Sequence, residues 1–180
     1  MPQHRTRLGL AFALAGCVLL PSSGVPPGRP VLDAETTRQL TAAARALVQD
    51  RSQALVARRD RDRKPIDEVL GVRISPKVAG VQERAVRELR TRNRAPVEGG
   101  PAFTGVRTTL AADRAVRRGD RITLEATEHT EVRYDTGRYV QSVRRRFEFT
   151  TRDRRLTLVG EGVLDPAARP VNDPERPTVR

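Results

Sequence analysis

The chain has 180 residues, a formal net charge of +12, 37% hydrophobic residues and no Trp. That length suffices for one domain with a core, or a small domain plus tails. Aromatics are scarce and Asp and Glu are interleaved among the arginines, so stacking platforms for single-stranded nucleic acid are missing and no specific nucleic-acid partner is expected. Lys64 and Lys77 are the only lysines; an arginine skew of this kind marks a GC-rich coding sequence before it marks a surface for polyanions.

"MPQHRTR" opens the chain with Arg5 and Arg7, and the apolar run "LGLAFALAGCVLL" (Leu8–Leu20) follows, ended by "PSSG". At about 1.5 Å per residue this run is too short to cross a hydrocarbon layer of roughly 30 Å. It has the layout of a secretory signal over residues 1–24, so an extracytoplasmic protein is expected, either secreted or membrane-anchored. "LAGC" at 14–17 matches a bacterial lipobox, which makes Cys17 a lipidation residue. Val18–Leu20 prolong the apolar run, which suits ordinary cleavage near Ser22–Gly24; both outcomes stay open. Contact with a membrane is expected only through the leader or a lipid on Cys17. Cys17 is also the only cysteine, so neither an internal disulfide nor a Cys-ligated zinc site can form.

"VPPGRP", within residues 25–32, reads as an extended linker. Asp33 is placed as N-cap of an amphipathic helix, "AETTRQLTAAARALVQDRSQALVARR", whose apolar stripe is Leu40, Ala44, Leu47, Val48, Ala54 and Leu55 with arginines opposite. After the charged break "RRDRDRKP", Pro65 can open a short helical turn through Leu70, ended by Gly71. Ser75 as N-cap and Pro76 at the first helical position begin a second helix, with Val78, Val81, Ala85 and Leu89 on one face.

From Ala102 the apolar period changes to two. "FTGVRTTLA", "RITLEATEHTEVRY", "RYVQSVRRRFEF" and "RLTLVGEGV" are four strands separated by the turns "RRGD", "DTGR" and "TRDR". Helices followed by a meander predict an α+β domain over 33–164, with N-terminal helices packed on a curved antiparallel sheet of about four strands. Residues 165–180 are rich in proline and lack periodicity, so they read as a disordered tail. The tripeptide Arg118–Asp120 resembles an adhesion motif, but Gly-Asp between two strands is what a hairpin turn requires.

The hairpin around "DTGR" raises the one chemical question in the chain. With Asp135 facing Arg138, Tyr134 meets Tyr139, Val132 meets Gln141, Ala126 meets Phe147 and Glu128 meets Arg145. All of these share one face, because side chains alternate with period two. A turn at Arg152–Asp153 then sets Gly160 opposite Arg145. A carboxylate and a guanidinium on the apolar face can neutralise each other as a buried pair. They can also form the polar floor of a ligand pocket bounded by Tyr134 and Tyr139. The other face carries His129, Glu131, Arg133, Arg144, Arg146, Glu148 and Glu161, with charges alternating in sign as on a solvated surface.

Catalysis is not expected. Cys17 belongs to the leader, and His129 is the only histidine beyond it, so a Cys–His pair is excluded from the mature chain. The sequence has no Gly-x-Ser-x-Gly elbow, no His-Glu-x-x-His and no phosphate-cradling glycine loop. No cofactor and no metal site is indicated.

"LTAAARALVQDRSQAL", "VQERAVRELRTR", "FTGVRTTL", "ITLEATEHTEVRY" and "FEFTTRDRRLTLVGEG", behind a leader, resemble the N-terminal non-catalytic region of actinobacterial secreted amidase-domain proteins. The resemblance spans roughly Val31–Gly162 and carries over no catalytic residue. The layout is also similar to nuclear transport factor 2-like and cystatin-like folds, which hold a pocket between a helix and a curved sheet. The resemblance implies a non-catalytic helper module of the bacterial cell envelope, free or lipid-anchored, binding an envelope component, a peptide or a partner enzyme. The alternative is a basic extracytoplasmic protein that binds polyanions through its arginines.

Overall fold

The computed structural model of the chain describes residues 32–56, 64–92 and 101–174. The expected leader at 1–24, Cys17 and nearly all of the expected linker at 25–32 lie outside the described residues. Helix α1 spans Ala34–Ala54, and Asp33 caps it by accepting the Thr36 amide at 2.7 Å. The hydrogen bonds from the Thr36 hydroxyl and amide hold the Asp33 carboxyl below its usual range. Helix α2 spans Pro76–Arg92, with the Ser75 hydroxyl accepting from the Val78 amide at 3.3 Å. Both starts combine a polar cap with good helix formers behind it. On α2 one residue of the expected stripe, Val81, is not buried, and Gln82 and Val86 are buried beside the others. Val81 is 48% exposed, while Gln82 is buried and donates to the Leu47 carbonyl at 2.9 Å and to Asp50 at 2.8 Å.

Among the described residues the sheet has six strands, two more than the apolar alternation suggests: β1 (Glu68–Val69), β2 (Val72–Ile74), β3 (Gly105–Arg118), β4 (Arg121–Tyr134), β5 (Gly137–Arg152) and β6 (Arg155–Val163). Their order is β1-β2-β6-β5-β4-β3, with β2 parallel to β6 and every other pair antiparallel. The fold is therefore α+β, two helices packed on a curled mixed sheet rather than on a purely antiparallel meander. The short helical turn expected after Pro65 is instead the β1–β2 hairpin. Its turn residues Leu70 and Gly71 have φ of 48° and 79°. Two left-handed residues in succession suit a tight hairpin and cannot continue a helix. Leucine is costly in that conformation, by about 1–2 kcal/mol, and Leu70 is 65% exposed, so its side chain recovers little by burial. Leu70→Asn is expected to stabilise the protein by about 1 kcal/mol, read as a rise of about 2–4 °C in thermal midpoint.

Two register corrections matter for the site. Between β4 and β5, Tyr134 pairs with Gly137, so Glu128 lies opposite Val143 and Arg145 opposite Ala126. The turn is Asp135–Thr136, one step earlier than expected. A Cβ on residue 137 would come within 3.3 Å of the Tyr134 ring, so glycine suits the pairing position rather than the turn itself. The shift moves the pairing by two, so Glu128 and Arg145 remain on one face, as diagonal neighbours rather than directly opposed. Between β5 and β6 the turn is Asp153–Arg154, both with positive φ, and a bulge follows in β6, where Val159 is the extra residue opposite the Glu148–Phe149 step of β5. Beyond it Gly160 faces Glu148 and Glu161 faces Phe147. The extra residue in β6 reverses the inside–outside alternation. Glu161 therefore turns inward, and Gly160 does not sit opposite Arg145.

The core forms where the apolar side of α1 meets the concave side of the sheet. Leu40, Ala43, Ala44, Leu47 and Val48 pack on Ile122, Leu124, Ala126, Phe147, Phe149 and Leu158. Alanines at the middle of the helix stripe let its backbone approach the sheet. A second cluster joins the ends of both helices to Phe103, Val132 and Val171. Val171 belongs to the stretch expected to be a disordered tail. Residues 165–174 instead lie against the domain: Val171 and Asn172 are buried, and Gln141 accepts from the Val171 amide and donates to the Arg169 carbonyl.

Candidate functional site: a buried ionic layer and an arginine-rimmed cleft

Between the two apolar clusters runs a polar layer. Along β4 the inward residues read Ile122, Leu124, Ala126, Glu128, Thr130 and Val132, so the core changes from apolar to polar and back within one strand. Arg145 supplies the diagonal position on β5, opposite Ala126, and both Glu128 and Arg145 are only 1% exposed. The Arg145 Nε donates to Glu128. Its terminal nitrogens donate to both carboxylate oxygens of Asp173 at 3.1 Å, to Glu161 at 3.1 Å and to the Asn172 side-chain oxygen at 3.2 Å. The fork of the guanidinium meets Asp173 with two parallel bonds, the geometry that makes such pairs strong.

Glu128 is satisfied from three directions. Its Oε1 accepts from the Thr130 hydroxyl at 2.8 Å and from the Asn172 amide nitrogen at 2.5 Å, while Oε2 accepts from Arg145. Asn172 also donates to Ser52 at 2.9 Å, and the Thr108 hydroxyl donates to Ser52 at 2.7 Å, tying α1 and β3 into the layer. A second arginine, Arg51 on α1, pairs with Glu161 and reaches Asp173 at 3.0 Å. Burial pulls the Arg145 guanidinium down, but Glu161, Asp173 and Glu128 together more than reverse that and hold its pKa above the ordinary arginine value. It stays charged.

Of the residues expected to line a pocket, the structure joins Glu128 and Arg145 and separates the tyrosines from them. Tyr134 packs at the edge of the second apolar cluster, and Tyr139 is 40% exposed near the hairpin end. The concave space is taken by α1 and by Asn172 and Asp173, so the pair is a filled, mutually satisfied layer. Four members went unread in the sequence. Arg51 had a signal, since it falls three and four residues after Val48 and Leu47 on the apolar stripe. Glu161 was hidden by the bulge. Asn172 and Asp173 carry no local pattern at all.

The outer face of the sheet holds a cleft of about 680 Å³ at the end nearest the β3–β4 turn. Val116 and Val159 contribute apolar surface, and Arg114, Arg118, Arg121 and Arg146 stand around them. Glu125 and Glu148 are its acids. Glu125 is engaged by Arg146 at 3.4 Å and Arg144 at 3.8 Å. Among the described residues, Arg114, Arg118 and Arg121 take part in no side-chain hydrogen bond or ion pair. At the other end of this face His129 meets Ser142 at 2.8 Å and is exposed, as its place on a solvated face leads one to expect. Among the described residues no group of three His, Cys, Asp or Glu is placed to hold a metal ion, and no helix is long and apolar enough to cross a membrane.

No family model matches the chain, and no curated protein matches it. Among solved structures, the chain is similar to the intermembrane space region of the chloroplast protein ARC6, at 15% identity and a TM-score of 0.43. That match covers 75% of this chain and 98% of the other. It is also similar to the Kfla4162 protein from Kribbella flavida, at 16% identity and a TM-score of 0.40, over 73% and 91% of the two chains.

Proposed function

We propose that this protein is a non-catalytic binding module that works outside the cytoplasm, secreted or lipid-anchored, as a helper of the bacterial cell envelope. The observation that carries the binding half of the reading is the state of the ionisable groups. Those that are buried are bonded to one another, as Glu128 and Arg145 are, and Arg51 is paired with Glu161. A general acid or base must be free to exchange a proton with substrate, and a layer closed in this way instead serves to hold the core together. Surface chemistry is then left to the arginine-rimmed cleft, which suits binding rather than turnover.

Export rests on the leader: a short cationic start, an apolar run too short to span a bilayer, and a break. The kinship with the non-catalytic leading region of secreted amidase-domain proteins is part of the same proposal. Mass spectrometry of the chain recovered from an actinobacterial host tests it. A diacylated chain beginning at Cys17 or a mature chain beginning near Val25 supports export, and an intact Met1 or Pro2 terminus in the cytosolic fraction overturns it. The unpaired arginines favour a second reading, general polyanion binding. That reading requires affinity for a polyphosphate to fall steeply with added salt and to be indifferent to ligand sequence.

A further inference from the structure

We infer that the second half of β3 is a docking edge for an extended acidic peptide, which adds as a strand and sets two carboxylates against Arg114 and Arg118. The inference rests on the binding-module reading and names its ligand class; it does not depend on export.

Among the described residues strand β3 is at the edge of the sheet, with β4 its only strand neighbour. An edge strand offers a row of unpaired amides and carbonyls, and folded proteins cover such rows or break them. The first half of β3 is covered in this way. From α1, Arg45 donates to the Leu110 carbonyl at 3.3 Å and Gln49 donates to the Thr108 carbonyl at 3.2 Å. The cover ends there. Residues 111–114 are exposed, and after a bulge between Ala112 and Arg114 the strand runs in register with β4 to Arg118.

This open half has its own side-chain pattern. Arg114, Val116 and Arg118 alternate along the strand and all line the outer cleft, with Arg121 beside them across the turn. Arg114 and Arg118 are separated by about 13 Å at the usual rise of a strand. A partner strand has the same rise, so residues four apart on it match that spacing. A peptide of the form Glu-x-Val-x-Glu therefore places two carboxylates and one aliphatic group on the cleft side. The carboxylates meet guanidiniums that are free among the described residues, and the valine meets Val116. Two acids limit the register. Asp113, which accepts from the Thr127 hydroxyl at 2.8 Å, lies at the bulge, and Glu148 lies deeper in the cleft.

Charge also decides against a second copy of the chain on this edge. Antiparallel self-pairing centred on Val116 would set Arg114 of one molecule opposite Arg118 of the other, and like charges directly opposed across strands are destabilising. An acidic strand reverses the sign of both contacts.

Fluorescence anisotropy with the full chain and a labelled peptide Glu-Thr-Val-Thr-Glu tests the assignment. Saturable binding is expected, weakened at least about tenfold by Arg114→Glu or Arg118→Glu. Arg107→Glu, the same charge change on the covered half of the strand, is expected to weaken it far less. Because these side chains are exposed, thermal melts of the variants should match that of the parent chain. A scrambled peptide Glu-Glu-Thr-Thr-Val has the same charge without the alternation. If it binds equally well, only net charge is being read and strand addition is overturned. Absence of binding by Glu-Thr-Val-Thr-Glu also overturns it. So does concentration-dependent dimerisation in sedimentation that Arg114→Glu abolishes, since the edge would then belong to a second copy. None of these outcomes bears on the state of the mature N-terminus, so failure of the docking edge and failure of export are separately visible.

Discussion

Replacing Arg145 with methionine is expected to destabilise the protein by about 3–5 kcal/mol, lowering its thermal midpoint by roughly 6–20 °C. Methionine fills much of the same volume, so the loss is mainly electrostatic. Glu128 would be left inside the domain without its cation, and Glu161 and Asp173 would lose a shared donor. Removing one partner of a buried pair costs far more than the intact pair contributes, because desolvation of the survivor is no longer offset. Glu128→Gln is expected to cost less, since an amide can still accept from Asn172 and Thr130. In the double variant the two losses should fall short of their sum, the mark of groups that share one network. Melts of the three variants with the parent chain measure this directly. A loss below about 1 kcal/mol for Arg145→Met would mean that the pair behaves like an exposed one, and the buried-layer description would fall.

The Arg145 side chain of the parent protein has a defined pH behaviour. The Arg145 pKa is raised on folding, so its contribution is fully present below the ordinary arginine value. It fades only as pH rises through the raised one. Titration across the neutral range should leave that contribution unchanged.

Ending the chain at Leu164 is expected to cost a similar amount, about 3–5 kcal/mol, although among the described residues it removes no helix and no strand. What it removes is Val171 from the second apolar cluster, the Asn172 amide that spans Glu128 and Ser52, and the Asp173 carboxylate that meets both buried arginines. Arg51 and Arg145 would keep only Glu161 and Glu128 between them. Single variants divide the effect. Asn172→Ala, which unsatisfies buried groups without changing charge, should account for about 1–3 kcal/mol, and Asp173→Asn keeps the shape while removing the ion pairs. Hydrogen exchange should quicken most at Val48–Ser52 on α1 and Glu128–Val132 on β4, where the segment docks. An unchanged melting midpoint in the shortened chain would show that residues 165–174 contribute nothing to the fold.

Both results concern residues whose importance depends on distance in space rather than in sequence. Apolar period located the long helices and the long strands, and polar cap residues located the helix starts. Asp33 and Ser75 stand where polar caps are needed, and the inward side of β4 and β5 follows from alternation with period two. That alternation also placed Glu128 and Arg145 on the same face, because a register error of two residues leaves every side chain on its original side. An error of one does not. The bulge in β6 is such an error, and it turned Glu161 from an expected surface residue into a partner of both arginines.

Local sequence by itself therefore determined the two long helices, the four long strands that follow them, the capped helix starts, and the presence of two opposite charges on the concave face. Tertiary structure alone decided the β1–β2 hairpin, the parallel pairing of β2 with β6, and the closure of the ionic layer by Asn172 and Asp173. The physical reason is range. Helix and strand periods arise from neighbours a few residues apart, whereas pairing with β6 and capture of residues 165–174 are energies between groups far apart in the chain, which no local pattern records.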